Sequence, residues 1–193
     1  MSDRTRRRRR RTGRKGRRNY EYVPRTGKDL LDSAPPGTNL FTYSELSKLR
    51  LTPLEIFRQI MGQKNIILLQ NPDDMYSGHW ITLSFKPELK EAYFFSSYGG
   101  KPDEEKLEWI PPSKLRKSKQ ENNFINDGLK QLAQMGWTVY YNDYPYQKEH
   151  DDTASCGIWA SAFLNSDQNP DEFEETHKSL DYYYNRLFRK KKE

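Results

Sequence analysis

The sequence predicts an α+β domain in which a small central mixed β-sheet is flanked by helices. Three observations predict it. Asn65-Ile66-Ile67-Leu68-Leu69-Gln70 is a compact apolar run of strand length, as expected of a buried strand. His79 to Phe85 alternates through Trp80, Thr82 and Ser84, and after Lys86-Pro87 comes Ala92-Tyr93-Phe94-Phe95, together the pattern of a hairpin. Residues 121–135 instead set Phe124, Ile125, Leu129, Leu132 and Met135 at helical spacing, with Gly136 as a stop.

At 193 residues the chain suits one domain with a tail. Residues 1–18 carry ten arginines and Lys15 against Asp3, a net charge of about +10, so the remainder is acidic, about −4, within a total of +6. This stretch has almost no apolar residues to offset the entropy of ordering, and it reads as a disordered arm in the free chain. Pro24, Pro35, Pro36 and Gly37 make residues 19–40 an extended lead-in rather than packed structure. The folded domain is expected over residues 41–193.

Within it, Thr42-Tyr43-Ser44-Glu45 and Thr52-Pro53-Leu54-Glu55 are two helix starts, each with a capping pattern and the second with proline at the first helical position. Leu46 and Leu49 follow the first; Ile56, Phe57 and Ile60 follow the second. Asn71-Pro72-Asp73-Asp74 breaks the first strand, and Trp137–Tyr141 is again β-rich. Cys156–Leu164 reads as a short apolar helix. From about Asp171 to Phe188 the chain is amphipathic, and Arg189-Lys190-Lys191-Lys192 suits the negative end of a helix dipole.

A single cysteine excludes an internal disulfide and any zinc site built on several thiolates, and it suits a reducing compartment. No apolar stretch reaches the roughly 18 to 20 residues that span a bilayer, and the N-terminus lacks a secretory apolar core. These features predict a soluble protein of the cell interior, or one packaged in a particle assembled there, with no metal.

The chemistry-bearing residues are Cys156, His79 and Gln147. Cys156 follows Thr153-Ala154-Ser155 at the start of an apolar helix. A thiol near its ordinary pKa of about 8.5 needs an imidazole or a helix N-terminus to become a thiolate. His79 opens a strand and is placed to take the proton. Gln147, in a turn-rich segment, offers a side-chain amide to an oxyanion, beside the backbone N–H of Cys156. Trp80 would wall a narrow cleft, and Gly157 would let the backbone approach a substrate carbonyl. Taken singly each has a bland reading, since a lone cysteine is commonly a small buried apolar residue. His150, a second imidazole, lies among Glu149, Asp151 and Asp152 and reads as part of a solvated turn.

The order of these residues and their flanks resemble the adenovirus-type maturation proteases, or adenains, and the related ubiquitin-like-protein-specific proteases. Gly78-His79-Trp80 is similar to the family's histidine motif, and Tyr93-Phe94-Phe95-Ser96-Ser97-Tyr98-Gly99-Gly100 resembles the strand and turn that carry the triad acid. Tyr141-Asn142-Asp143-Tyr144-Pro145-Tyr146-Gln147 resembles the oxyanion segment, and Ser155-Cys156-Gly157-Ile158-Trp159 the nucleophile motif. The proteases of virophages and Polinton-like elements are the nearest in kind, and the resemblance spans about residues 41–165. It implies an adenain-like cysteine endopeptidase that cuts viral capsid or core precursors near small residues of the Gly-Gly or Gly-Ala type during virion maturation. Removal of ubiquitin-like modifiers is the second implied activity.

One position departs from the pattern. Relatives place Asp or Glu after the aromatic strand to orient the histidine and stabilise its cation, whereas this chain has Ser96. Three readings follow: a Cys/His pair oriented by Ser96, an acid from elsewhere such as Asp103, or a weakened protease that acts as a DNA-binding core protein.

The arm of Arg6, Arg7, Arg8, Arg9, Arg10 and Arg11, extended by Arg14, Lys15, Arg17 and Arg18, suits a polyanion bound through counterion release. DNA is the expected partner, and the resemblance implies that it could act as a polyanionic activator; a solvated arm or nuclear-import signal is the plainer reading. No other cofactor and no membrane partner is expected. A monomer is expected, in the virion interior and in the host cell's virus factory or nucleus.

Overall fold

The computed structural model describes residues 24–147 and 154–189. The arginine arm and His150 lie outside the described residues. Five strands form one mixed sheet in the order β1 (Asn39–Thr42), β2 (Lys64–Asn71), β3 (Asp74–Lys86), β4 (Glu91–Ser96) and β5 (Thr138–Tyr141). The centre is antiparallel, with Leu68 opposite Trp80 and Leu83 opposite Phe94, while β1 and β5 add in parallel at the two edges.

Both faces of the sheet are covered, which explains why β2 is apolar in unbroken succession. Ile67 and Leu69 pack with helices α2 (Tyr43–Ser47), α3 (Pro53–Ile60) and α6 (Phe124–Gln134) on one face. Ile66 and Leu68 pack on the other with α1 (Gly27–Ser33), α7 (Cys156–Ser166) and α8 (Pro170–Thr176). Alternate side chains of a strand point to opposite faces, so one apolar run serves two cores. The predicted α+β architecture is therefore observed, with helices in layers on both sides.

The capping boxes at Thr42 and Thr52 start α2 and α3 where the sequence predicts them. Every residue of α7 from Cys156 to Leu164 is buried, the signature of a helix packed on all sides. It lies against β3, the strand that carries His79.

Two expectations are corrected. The lead-in is not merely extended: Thr26 and Asp29 form a third capping box, and α1 buries Leu30 in the core with Ile66 and Phe163. Pro35, Pro36 and Gly37 only follow the helix. The C-terminal amphipathic segment is not one helix either, because His177 turns extended after α8. Ser179 then caps a new start, α9 (Leu180–Tyr183), which runs into a π-helical turn at Tyr184–Phe188.

Two further helices, α4 (Glu104–Trp109) and α5 (Pro112–Ser118), follow β4. Their anchor is a buried cluster. The Lys106 ammonium, with a fully buried side chain, lies 3.2 Å from Asp103 and donates to Tyr43 Oη at 2.6 Å. Asp103 also accepts from Tyr43 Oη at 2.6 Å and from the Asn126 amide at 2.9 Å. Among the described residues no helix is long and apolar enough to cross a membrane.

Candidate functional site

Gly78 sets the start of the site. Its φ is +154°, and a Cβ there would overlap the carbonyl oxygen of Leu69 on the paired strand. Glycine thus allows the register to shift at Gln70 and Asn71 just before His79 enters the ladder.

His79, Gln147 and Cys156 line one cavity of about 230 Å³, together with Trp80, Tyr98 and Arg25. The three residues far apart along the chain are therefore brought together, all buried. Trp80 forms part of the wall, held by its indole N–H donating to the Arg25 carbonyl at 3.2 Å. Gly157 packs against the lead-in. A Cβ at this position would press on Arg25 and Leu30, so glycine here admits the lead-in to the helix start.

The segment Ser96–Gly100 organises the rest. Asn142 clamps it, accepting from the Ser96 amide at 3.0 Å and donating to the Ser96 carbonyl at 2.7 Å. The Ser96 hydroxyl lies 3.0 Å from His79 Nε2. Ser97 donates to Gln147 Oε1 at 3.1 Å, and its carbonyl accepts from the Gln147 backbone N–H at 2.8 Å. The Tyr98 ring packs on the His79 ring with centroids 4.5 Å apart, while its hydroxyl accepts from Gln147 Nε2 at 3.2 Å.

The carboxylate beside His79 comes from α4. Glu105, buried, puts Oε2 3.3 Å from His79 Nε2. Its other oxygen accepts from the Ser96 hydroxyl and from the Gly100 amide, the latter at 3.1 Å. A Cβ on Gly100 would overlap this carboxylate. Asp103, the expected alternative, instead belongs to the Tyr43–Lys106 cluster. Sequence reading missed Glu105, and the available signal was the second glycine of Gly99-Gly100, which makes room for it.

This network assigns the tautomer. A hydroxyl has one hydrogen, and that of Ser96 goes to Glu105. His79 Nε2 must then be the donor toward Ser96, which leaves Nδ1 as the basic nitrogen. Burial lowers the His79 imidazole to about 3, and the nearby Glu105 carboxylate opposes that shift. Burial likewise raises the Cys156 thiol above its ordinary value; the backbone amides of Trp80, Gly157 and Cys156 partly counter this, and the Glu105 charge adds to it. Both shifts favour the neutral thiol and the neutral ring.

The chain is similar to an uncharacterized protein, V9, of Sputnik virophage. The two are 29% identical over 140 residues, covering 72% of this chain and 74% of that protein. No protein-family model matches the chain, and no solved structure matches it significantly. Among the described residues, no group of three or more His, Cys, Asp or Glu side chains could hold a metal ion.

Proposed function

We propose that this chain is a cysteine endopeptidase of the adenain and ubiquitin-like-protease type that cleaves viral capsid or core precursors near small residues during particle maturation. The observation that carries the reading is the shared cavity of Cys156, His79 and Gln147, with a buried carboxylate against the imidazole. A thiol, a base with its orienting acid, and an amide donor are the parts that acyl transfer requires.

In this mechanism His79 Nδ1 takes the thiol proton as Cys156 Sγ bonds to the scissile carbonyl carbon. The Gln147 side-chain amide and the Cys156 backbone N–H hold the oxyanion. Glu105 stabilises the imidazolium, which returns the proton to the departing amine as the C–N bond breaks. Water, deprotonated by His79, then hydrolyses the thioester and restores the thiol. Because thiol and ring start neutral, proton transfer accompanies attack rather than preceding it.

Similarity to a virophage protein supports a viral setting, in which particle precursors are available as substrates. The arginine arm suits DNA, which would hold the enzyme near packaged substrates. The test is to incubate wild type and Cys156→Ala with particle proteins and with diglycine-terminated modifier conjugates, with and without DNA, and to identify new termini by mass spectrometry. New termini after small residues in particle proteins, absent with Cys156→Ala, are expected. Cleavage only of modifier conjugates would redirect the substrate class, and no cleavage of either would overturn the reading in favour of a non-enzymatic core protein.

A further inference from the structure

A second cavity, of about 340 Å³, adjoins the first. It shares Gly78, His79 and Tyr98 with the candidate catalytic cavity but is lined by neither Cys156 nor Gln147. We propose that it is the subsite for a bulky apolar side chain on the amine side of the scissile bond, an inference that rests on the peptidase reading above.

The direction follows from the chemistry. The acyl carbon must lie between the Cys156 sulfur and the Gln147 amide, and the leaving nitrogen must lie at the imidazole that protonates it. Chain continuing past that nitrogen passes His79, and this cavity shares His79, with Gly78 and Tyr98, with the one that holds Cys156.

The ligand class follows from the walls. Leu69, Pro72, Ile110 and Pro111 supply apolar surface. The cations that also line the cavity are already paired: Lys114 lies 2.5 Å from Asp73, and Lys106 lies 3.2 Å from Asp103. Gln70 is engaged as well, its backbone bonded at 2.9 Å in both directions to the Gln120 side chain. Among the described residues each lysine of the lining has an acidic partner, so a charged substrate residue gains less here than an apolar one, which displaces water from the apolar part of the walls. The volume sits at the small end of ligand pockets, about 300 to 1,000 Å³, and so fits one large side chain.

Peptides built on a cleavage found in particle proteins, with the acyl side constant and the residue after the scissile bond set to Gly, Asp, Leu or Phe, test the assignment. Leu and Phe peptides should show kcat/KM about tenfold or more above Gly and Asp. Ile110→Trp and, independently, Pro72→Trp fill the cavity from two sides and should bring that ratio toward one. Equal cleavage of all four peptides overturns the subsite while leaving the peptidase standing. A preference that survives both tryptophan variants also overturns it, and failure of wild type to cleave any particle protein removes both readings.

Discussion

Glu105 Oε2 stands 3.3 Å from His79 Nε2, and the Ser96 hydroxyl bonds to both side chains. A helix thus delivers the carboxylate that the strand position lacks. Glu105→Gln keeps the size of the group and removes its charge, so kcat should fall by about 100-fold or more, as for other triads that lose their acid. The measurement is steady-state peptide hydrolysis with the fold checked by circular dichroism; near-wild-type turnover would show that this contact does not serve catalysis.

Ser96→Asp would place a carboxylate beside His79, yet it should lower activity. Ser96 is fully buried, and a carboxylate there would face Glu105 in a site where like charges repel strongly. Ser96→Ala removes one bridging hydroxyl and leaves Glu105 beside His79, so its loss should be smaller. Comparing kcat and the thermal midpoint of both variants checks the order, and a faster Ser96→Asp enzyme would contradict it.

Lys106 neighbours Glu105 on α4, and its fully buried ammonium faces Asp103 at 3.2 Å. Lys106→Met leaves the Asp103 charge buried without this partner, which costs about 3 to 5 kcal/mol where such pairs are broken. Denaturant unfolding should show that loss. The double variant Lys106→Met, Asp103→Asn should recover part of it, and failure to recover any would argue against the ion pair as the cause.

The buried thiol and imidazole give opposite pH signatures. His79 is lowered to about 3 from 6.5, so the unfolded chain binds a proton there that the folded chain refuses. Its stabilising contribution is complete above about pH 6.5 and is lost as pH falls toward 3. Cys156 is raised above 9.0, so its contribution is complete below that value and is lost as pH rises through the folded one. Thiolate absorbance should therefore be absent at neutral pH, appear only above about pH 9, and vanish in Cys156→Ala. A thiolate band at neutral pH would mean a preformed ion pair instead.

Much of this arrangement was legible along the chain. Capping boxes at Thr42 and Thr52, the apolar run of β2 and the apolar stretch of α7 are local patterns, and each yields its element within a few residues. Local pattern also misled. The prolines of residues 24–37 outweighed the quieter Thr26–Asp29 box, although Leu30 is what the core uses. His177 interrupts a C-terminal segment whose apolar spacing runs on past it.

The sequence by itself determined the inventory of the candidate site: one thiol, an imidazole at a strand and an amide in a turn. Only tertiary structure decided which acid serves the imidazole. Asp103 and Glu105 are two residues apart, and which of them meets His79 depends on how α4 is anchored by Tyr43 and Lys106. Residue type and spacing specify what a helix can present, but its rotation against a sheet follows from burial and ion pairing with residues distant along the chain.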